Sequence, residues 1–128
     1  MSWQSYIDNL LASGNIARAA IHNLDGSVLA TSPGLNVSTK EALDLVQIIT
    51  KGDPSSLYAD GMRIGGMKYT FLRGDGIRSL YGRQGNGGVV VTKTNLTLVI
   101  GVYESPMVAG SGVAVVEHLA DYLISTNQ

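Results

Sequence analysis

Between Gly61 and Tyr103 the chain alternates short β-rich runs with links of two to four residues, most of them bearing glycine. Residues 61–64, 67–73, 78–83, 88–93 and 96–103 read as strands, and Val89-Val90-Val91 and Leu96 to Tyr103 are rich in β-branched residues. Parallel pairing of consecutive strands needs a crossover of about a dozen residues, which these links cannot supply. The segment is therefore expected to form an antiparallel meander. Upstream, Arg18–Asn23 and Val28–Thr31 flank Leu24-Asp25-Gly26-Ser27, an Asp-Gly hairpin signal.

Helices are expected at both ends. Ser2 is a good N-cap, and Trp3, Tyr6, Ile7, Leu10 and Leu11 follow at helical spacing up to Gly14. At about 100° per residue these five fill one arc, with Trp3 and Tyr6 at one margin. Ser111 to Ser125 reads as the last helix, capped by Ser111. Val113, Val116, Ala120, Leu123 and Ile124 form its core stripe, flanked by Val115, Leu119 and Tyr122, with Glu117, His118 and Asp121 on the polar side. If the terminal helices pack side by side, Trp3, Tyr6, Leu119 and Tyr122 form one aromatic strip. A middle helix opens with the capping box Ser38-Thr39-Lys40-Glu41 and ends at Gly52-Asp53-Pro54, after which Pro54 starts a helical turn through Tyr58. The fold class is α+β: one domain over residues 1–128, an antiparallel sheet of six to seven strands sandwiched by helices, with the N- and C-terminal helices adjacent on one face.

Composition removes several functional classes. The chain has no cysteine, so no disulfide framework or thiolate metal site is available. His22 and His118 are far apart in sequence, and Glu117 and Asp121 are expected to pair with His118 on the helix surface rather than to hold a metal. The glycines of residues 82–88 lead into a strand, not a helix, and no Gly-Lys-Ser/Thr follows, so a phosphate loop fails its context. With no nucleophile elbow, metal spacing or cofactor motif, the chain reads as a binding protein and not an enzyme. No apolar run approaches a membrane span, and residues 1–15 lack a signal-peptide pattern, so the expected location is the cytoplasm.

Charge is unevenly spread behind a net value of −1. Six of the nine basic residues (Arg63, Lys68, Arg73, Arg78, Arg83, Lys93) lie between residues 61 and 93, where Asp75 is the only acid. A basic strand region of this kind is either a solvated rim or a docking surface for an acidic partner, protein or lipid headgroup. Nucleic acid is disfavoured, because the only interleaved aromatics are Tyr69, Phe71 and Tyr81.

Six blocks taken together carry a family resemblance: Met-Ser-Trp-Gln-Ser-Tyr-Ile-Asp (1–8), Ala-Ala-Ile-His-Asn-Leu-Asp-Gly-Ser-Val-Leu-Ala-Thr-Ser (19–32), Gly-Gly-Met-Lys-Tyr (65–69), Arg-Ser-Leu-Tyr-Gly (78–82), Val-Thr-Lys-Thr (91–94) and Val-Glu-His-Leu-Ala-Asp-Tyr-Leu-Ile (116–124). In order and spacing they resemble profilin along the whole chain. The resemblance implies a mainly monomeric cytoskeletal protein that binds actin monomers, proline-rich proteins such as formins, and acidic phosphoinositide headgroups. It also implies promotion of nucleotide exchange on actin. For the polyproline groove it implies Trp3, Tyr6 and Tyr122, with Leu119 and Leu123 as neighbours. Leu29 stands where many relatives carry a second groove tryptophan, and Ala109-Gly110 replaces a frequent Pro-Gly. For actin it implies Lys68, Arg73, Arg78, Tyr81, Arg83, Lys93 and Glu117, and for phosphoinositides Lys68, Arg78 and Arg83. A proline-peptide module without actin binding is one alternative. A roadblock- or longin-type scaffold is another, which gives no reason for Trp3 and Tyr6.

Overall fold

In the computed structural model, which describes residues 2–128, the elements are α1 (Trp3–Ala12), β1 (Arg18–Asn23), β2 (Val28–Thr31), α2 (Thr39–Lys51), α3 (Ser55–Asp60), β3 (Met62–Ile64), β4 (Met67–Gly74), β5 (Ser79–Gln84), β6 (Gly87–Lys93), β7 (Thr97–Tyr103) and α4 (Ala109–Ser125). The strands form one seven-stranded sheet in the order β2-β1-β7-β6-β5-β4-β3. Every pairing is antiparallel. The meander from β3 to β7 is the one that the short links demand. Its last strand then pairs with β1, from Arg18 opposite Val102 to Asn23 opposite Thr97.

Local chemistry sets the boundaries. Ser2 caps α1 by accepting from the Ser5 N–H. Ser38 and Glu41 complete the capping box of α2, and Gly52 closes that helix in the left-handed conformation (φ 69°). Glu41 does more than cap: its carboxylate also accepts from the Gly65 and Gly66 N–H groups at 3.0 Å each, tying α2 to the β3–β4 turn. The last helix begins two residues before the expected Ser111. Val108 is its N-cap without a side-chain bond, and the N–H groups of Ser111 and Gly112 already bond the Val108 carbonyl.

Strand alternation splits the apolar residues between two cores. One face carries Leu80, Val89, Val91, Leu98 and Ile100 against α2 and α3. The other carries Ala19, Ile21, Val90 and Val99 against α1 and α4, through Tyr6, Ile7, Leu10, Val116 and Leu123. The terminal helices pack on β1, β2, β6 and β7. On their side of the sheet, the side chains of β3 and β4 and, from β5, that of Arg83 stay exposed.

Candidate functional site: an aromatic cleft and an open basic face

The terminal helices lie against each other and leave a cleft of about 570 Å³ between them. Tyr6, Asn9, Leu10 and the C-cap Ser13 line it from the α1 side, and Ala114, Val115, His118, Leu119 and Tyr122 from α4. At one end the rings stack in series. Trp3 and Tyr6 are 5.7 Å apart at 55°, and Tyr6 and Tyr122 are 6.2 Å apart at 56°. Such tilted pairs are favoured by the ring quadrupoles and hold the platform in one geometry. Tyr6 is buried in the middle of the series, Trp3 is half-buried, and Tyr122 is 47% exposed. Burial, and then the adjoining Tyr122 hydroxyl, hold the Tyr6 phenol above its ordinary value, so the ring stays neutral.

Of the residues expected in the groove, Tyr6, Leu119 and Tyr122 line the cleft, and Trp3 extends its ring platform. Leu29 is half-buried and packs on the core beneath, off the cleft. Leu123 is a correction. It is fully buried, because it continues the Val116–Ala120 stripe that faces the sheet, and it has no surface to offer a ligand. Helical spacing puts Leu123 in the core stripe, and only the family resemblance puts it in the groove. Asn9, Ser13, Ala114, Val115 and His118 were not expected as lining. Each stands three or four residues from another lining residue, and that helical spacing is the signal that would have found them.

The second surface is the open part of the sheet. Residues Arg63 and Lys68 are cross-strand partners, as are Thr70 and Arg83. Alternation puts all four on the side away from Met62, Ile64, Tyr69 and Phe71, and all four are exposed. An irregularity between Phe71 and Arg73 brings Arg73 opposite Tyr81, where its guanidinium lies 4.5 Å from the ring centroid, a cation–π contact. Arg83 donates from Nε to the Gly85 carbonyl at 3.0 Å. Arg63 belongs to this face although only the charge count had flagged it.

Three expected contacts fall elsewhere. Lys93 lies on the opposite side of β6 from Thr92, half-buried opposite Leu98, and its Nζ reaches the Thr94 carbonyl at 3.4 Å. Arg78 is not a free cation: its Nη2 donates to Glu117 Oε2 and to Asp121 Oδ1, each at 2.8 Å, and its side chain is only 20% exposed. Glu117 and Asp121 therefore pair with Arg78, not with His118. Glu117 is itself engaged by Ser79, Tyr81 and Thr92. Asp75 holds the turn before β5 by accepting from the N–H groups of Ile77, Arg78 and Ser79. Burial pushes its carboxyl up, but those three bonds and the Arg78 charge outweigh it, so Asp75 sits below its ordinary value.

A seven-stranded antiparallel sheet with both terminal helices on one face, an aromatic cleft between them and cations on the uncovered strands defines a small α+β binding protein with two separate surfaces. The chain belongs to the profilin family: the Profilin family model matches residues 1–128. It is 42% identical to profilin-1A of Acanthamoeba castellanii over 125 residues, 97% of each chain, and 42% identical to the profilin of Saccharomyces cerevisiae over the same share. Among solved structures, profilin IA of Acanthamoeba castellanii superposes with a TM-score of 0.92 at 37% identity, covering 99% of this chain and 100% of that one.

Proposed function

We propose that this chain binds actin monomers through the open basic face and proline-rich segments, such as those of formins, through the aromatic cleft, and so regulates actin polymerisation and nucleotide exchange. The observation that carries the reading is the ring series Trp3–Tyr6–Tyr122 at the mouth of a cleft between two helices. A polyproline II segment is already extended and loses little conformational entropy on docking, and flat pyrrolidine faces stack well on rings. Membership of the family and the cluster Arg63, Lys68, Arg73 and Arg83 support the actin side. Cations of this kind chiefly raise the association rate and fix orientation on an acidic protein. Phosphoinositide headgroups would compete for Lys68 and Arg83, whereas Arg78 is already neutralised.

Trp3 is the only tryptophan, so its fluorescence reports the cleft directly. Adding polyproline is expected to change that fluorescence in the wild type, and Trp3→Ala or Tyr6→Ala is expected to abolish binding with actin affinity nearly unchanged. Unperturbed fluorescence would remove the cleft assignment. A pyrene-actin assay tests the other surface: no effect on polymerisation would leave a proline-peptide module alone.

A further inference from the structure

We infer that Glu117 is a positioning residue of the open face: it fixes the Tyr81 ring and, through it, the Arg73 guanidinium, rather than meeting a partner itself. The functional part of the inference rests on the proposed actin reading. A carboxylate offers roughly four acceptor sites. Glu117 meets four of this chain's own donors, three of them at Oε1. Oε1 accepts from Ser79 Oγ at 2.5 Å, Thr92 Oγ1 at 3.0 Å and the Tyr81 hydroxyl at 3.2 Å, while Oε2 accepts from Arg78 at 2.8 Å. Little capacity is left for a donor from outside, and the side chain is only 22% exposed.

Those donors come from β5, β6 and the residue just before β5, so one α4 side chain gathers the strands beside the open face. Ser79 and Thr92 are buried cross-strand partners whose hydroxyl oxygens lie 3.0 Å apart, both facing the carboxylate, so they form a packed floor beneath it. Above that floor Tyr81 is held at its hydroxyl end by Glu117, and its face carries Arg73 at 4.5 Å. A cation held on a fixed ring loses less freedom when a partner arrives than a free arginine does. The same carboxylate takes Arg78 out of the pool of free cations, which leaves Arg63, Lys68, Arg73 and Arg83 to set the charge pattern of the face.

The test has one arm that needs no partner. The charged groups around Tyr81 are Glu117 from α4, Arg73 from β4, and Asp75 and Arg78 from the β4–β5 turn. Burial raises the Tyr81 phenol first, the nearby Ser79 hydroxyl works against it, and the Glu117 charge and bond raise it further. In a pH titration of ¹³C-labelled tyrosines, with Tyr81→Phe assigning the signal, Glu117→Gln should make Tyr81 ionise at lower pH. An unmoved titration overturns the inference.

The second arm is a cycle of Glu117→Gln and Arg73→Ala against actin monomers. Glu117→Gln alone should weaken binding, and the two effects should depart from additivity by about threefold or more. Strict additivity would mean that Glu117 acts on the partner directly and would overturn the positioning role. If the wild type fails to bind actin, the proposed function falls, while the titration still judges Glu117. Should Glu117→Gln not fold, Tyr81→Phe removes only the hydroxyl. It should lower the ¹⁵Nε order parameter of Arg73, and an unchanged value counts against the inference.

Discussion

Gly101 lies in the middle of β7, directly under α4, and replacing it by alanine tests how the cleft is held. A Cβ at that position would come within 2.6 Å of Val116 Cγ2 and 3.0 Å of Ile16 Cδ1, against about 3.5–4.0 Å for an unstrained carbon contact. Val116 is fully buried and β-branched, so in a helix it has essentially one rotamer and cannot swing aside. The helix itself must therefore rise by roughly 1 Å, or the strand must sink into an equally full core. Overpacking of this kind costs about 1–3 kcal/mol. For a domain of this size that is a fall of roughly 3–15 °C in Tm. Urea denaturation of wild type, Gly101→Ala, Val116→Ala and the double variant would measure it. Val116→Ala removes the clashing methyls, so the double variant should be more stable than the sum of the singles by about 1 kcal/mol or more. Because lifting α4 also moves Tyr122 away from Tyr6, Gly101→Ala should weaken polyproline binding. A neutral Gly101→Ala, or strictly additive singles, would refute the close-approach argument.

Arg83→Glu should weaken actin binding by roughly 2–4 kcal/mol and leave polyproline affinity intact, whereas Lys93→Glu should do much less; equal losses in an actin-monomer titration would deny the difference between the two faces. Leu29→Trp puts a larger flat ring at a half-buried position off the cleft; an indole that reaches the ligand from there would add about 0.5–1.5 kcal/mol, or a few-fold to about tenfold tighter binding of a proline decamer by calorimetry. Unchanged affinity would place residue 29 out of reach of the ligand, and lost stability would mean the core has no room for an indole. Asp75 has a folded pKa below its ordinary 3.8, so its contribution is present above that value and lost as pH falls through the folded pKa. Asp75→Asn should therefore flatten the acid limb of the stability–pH curve, and an unaltered limb would show that the turn does not depend on the carboxylate.

The parts of the fold that local chemistry decides were legible in the sequence. The Asp-Gly hairpin, the capping box at Ser38 and the short links of the meander each carry their own signal within a few residues, and the observed strands match them within a residue or so. What depends on distant partners was not legible. Nothing near Arg78 announces that Glu117 and Asp121, 39 and 43 residues on, will neutralise it. The charge count put Lys93 with the other cations, but alternation from the buried Val91 sends it to the other side of the strand. The start of α4 was misplaced because Ser111 looks like a cap. The helix instead runs through Gly110 and Gly112, and Gly112 sits where a Cβ would come within 3.1 Å of Tyr103.

The sheet order explains why the two surfaces can coexist on 128 residues. With β7 paired to β1, both terminal helices fall on the same half of one face, so they meet and form a cleft. The meander carries β3, β4 and the far end of β5, at Arg83, beyond their reach, so that part of the sheet keeps one side free for charge. The two surfaces use different side chains, and a proline-rich segment in the cleft need not displace a protein on the sheet. They share one element. The margin of α4 that carries Val115, Leu119 and Tyr122 closes the cleft, while Glu117 and Asp121 on the same helix grip the edge of the open face. A displacement of α4 small enough to spare the fold would be felt at both, which makes the seating of that helix on Gly101 and its tether at Glu117 the two places where the surfaces are held in register.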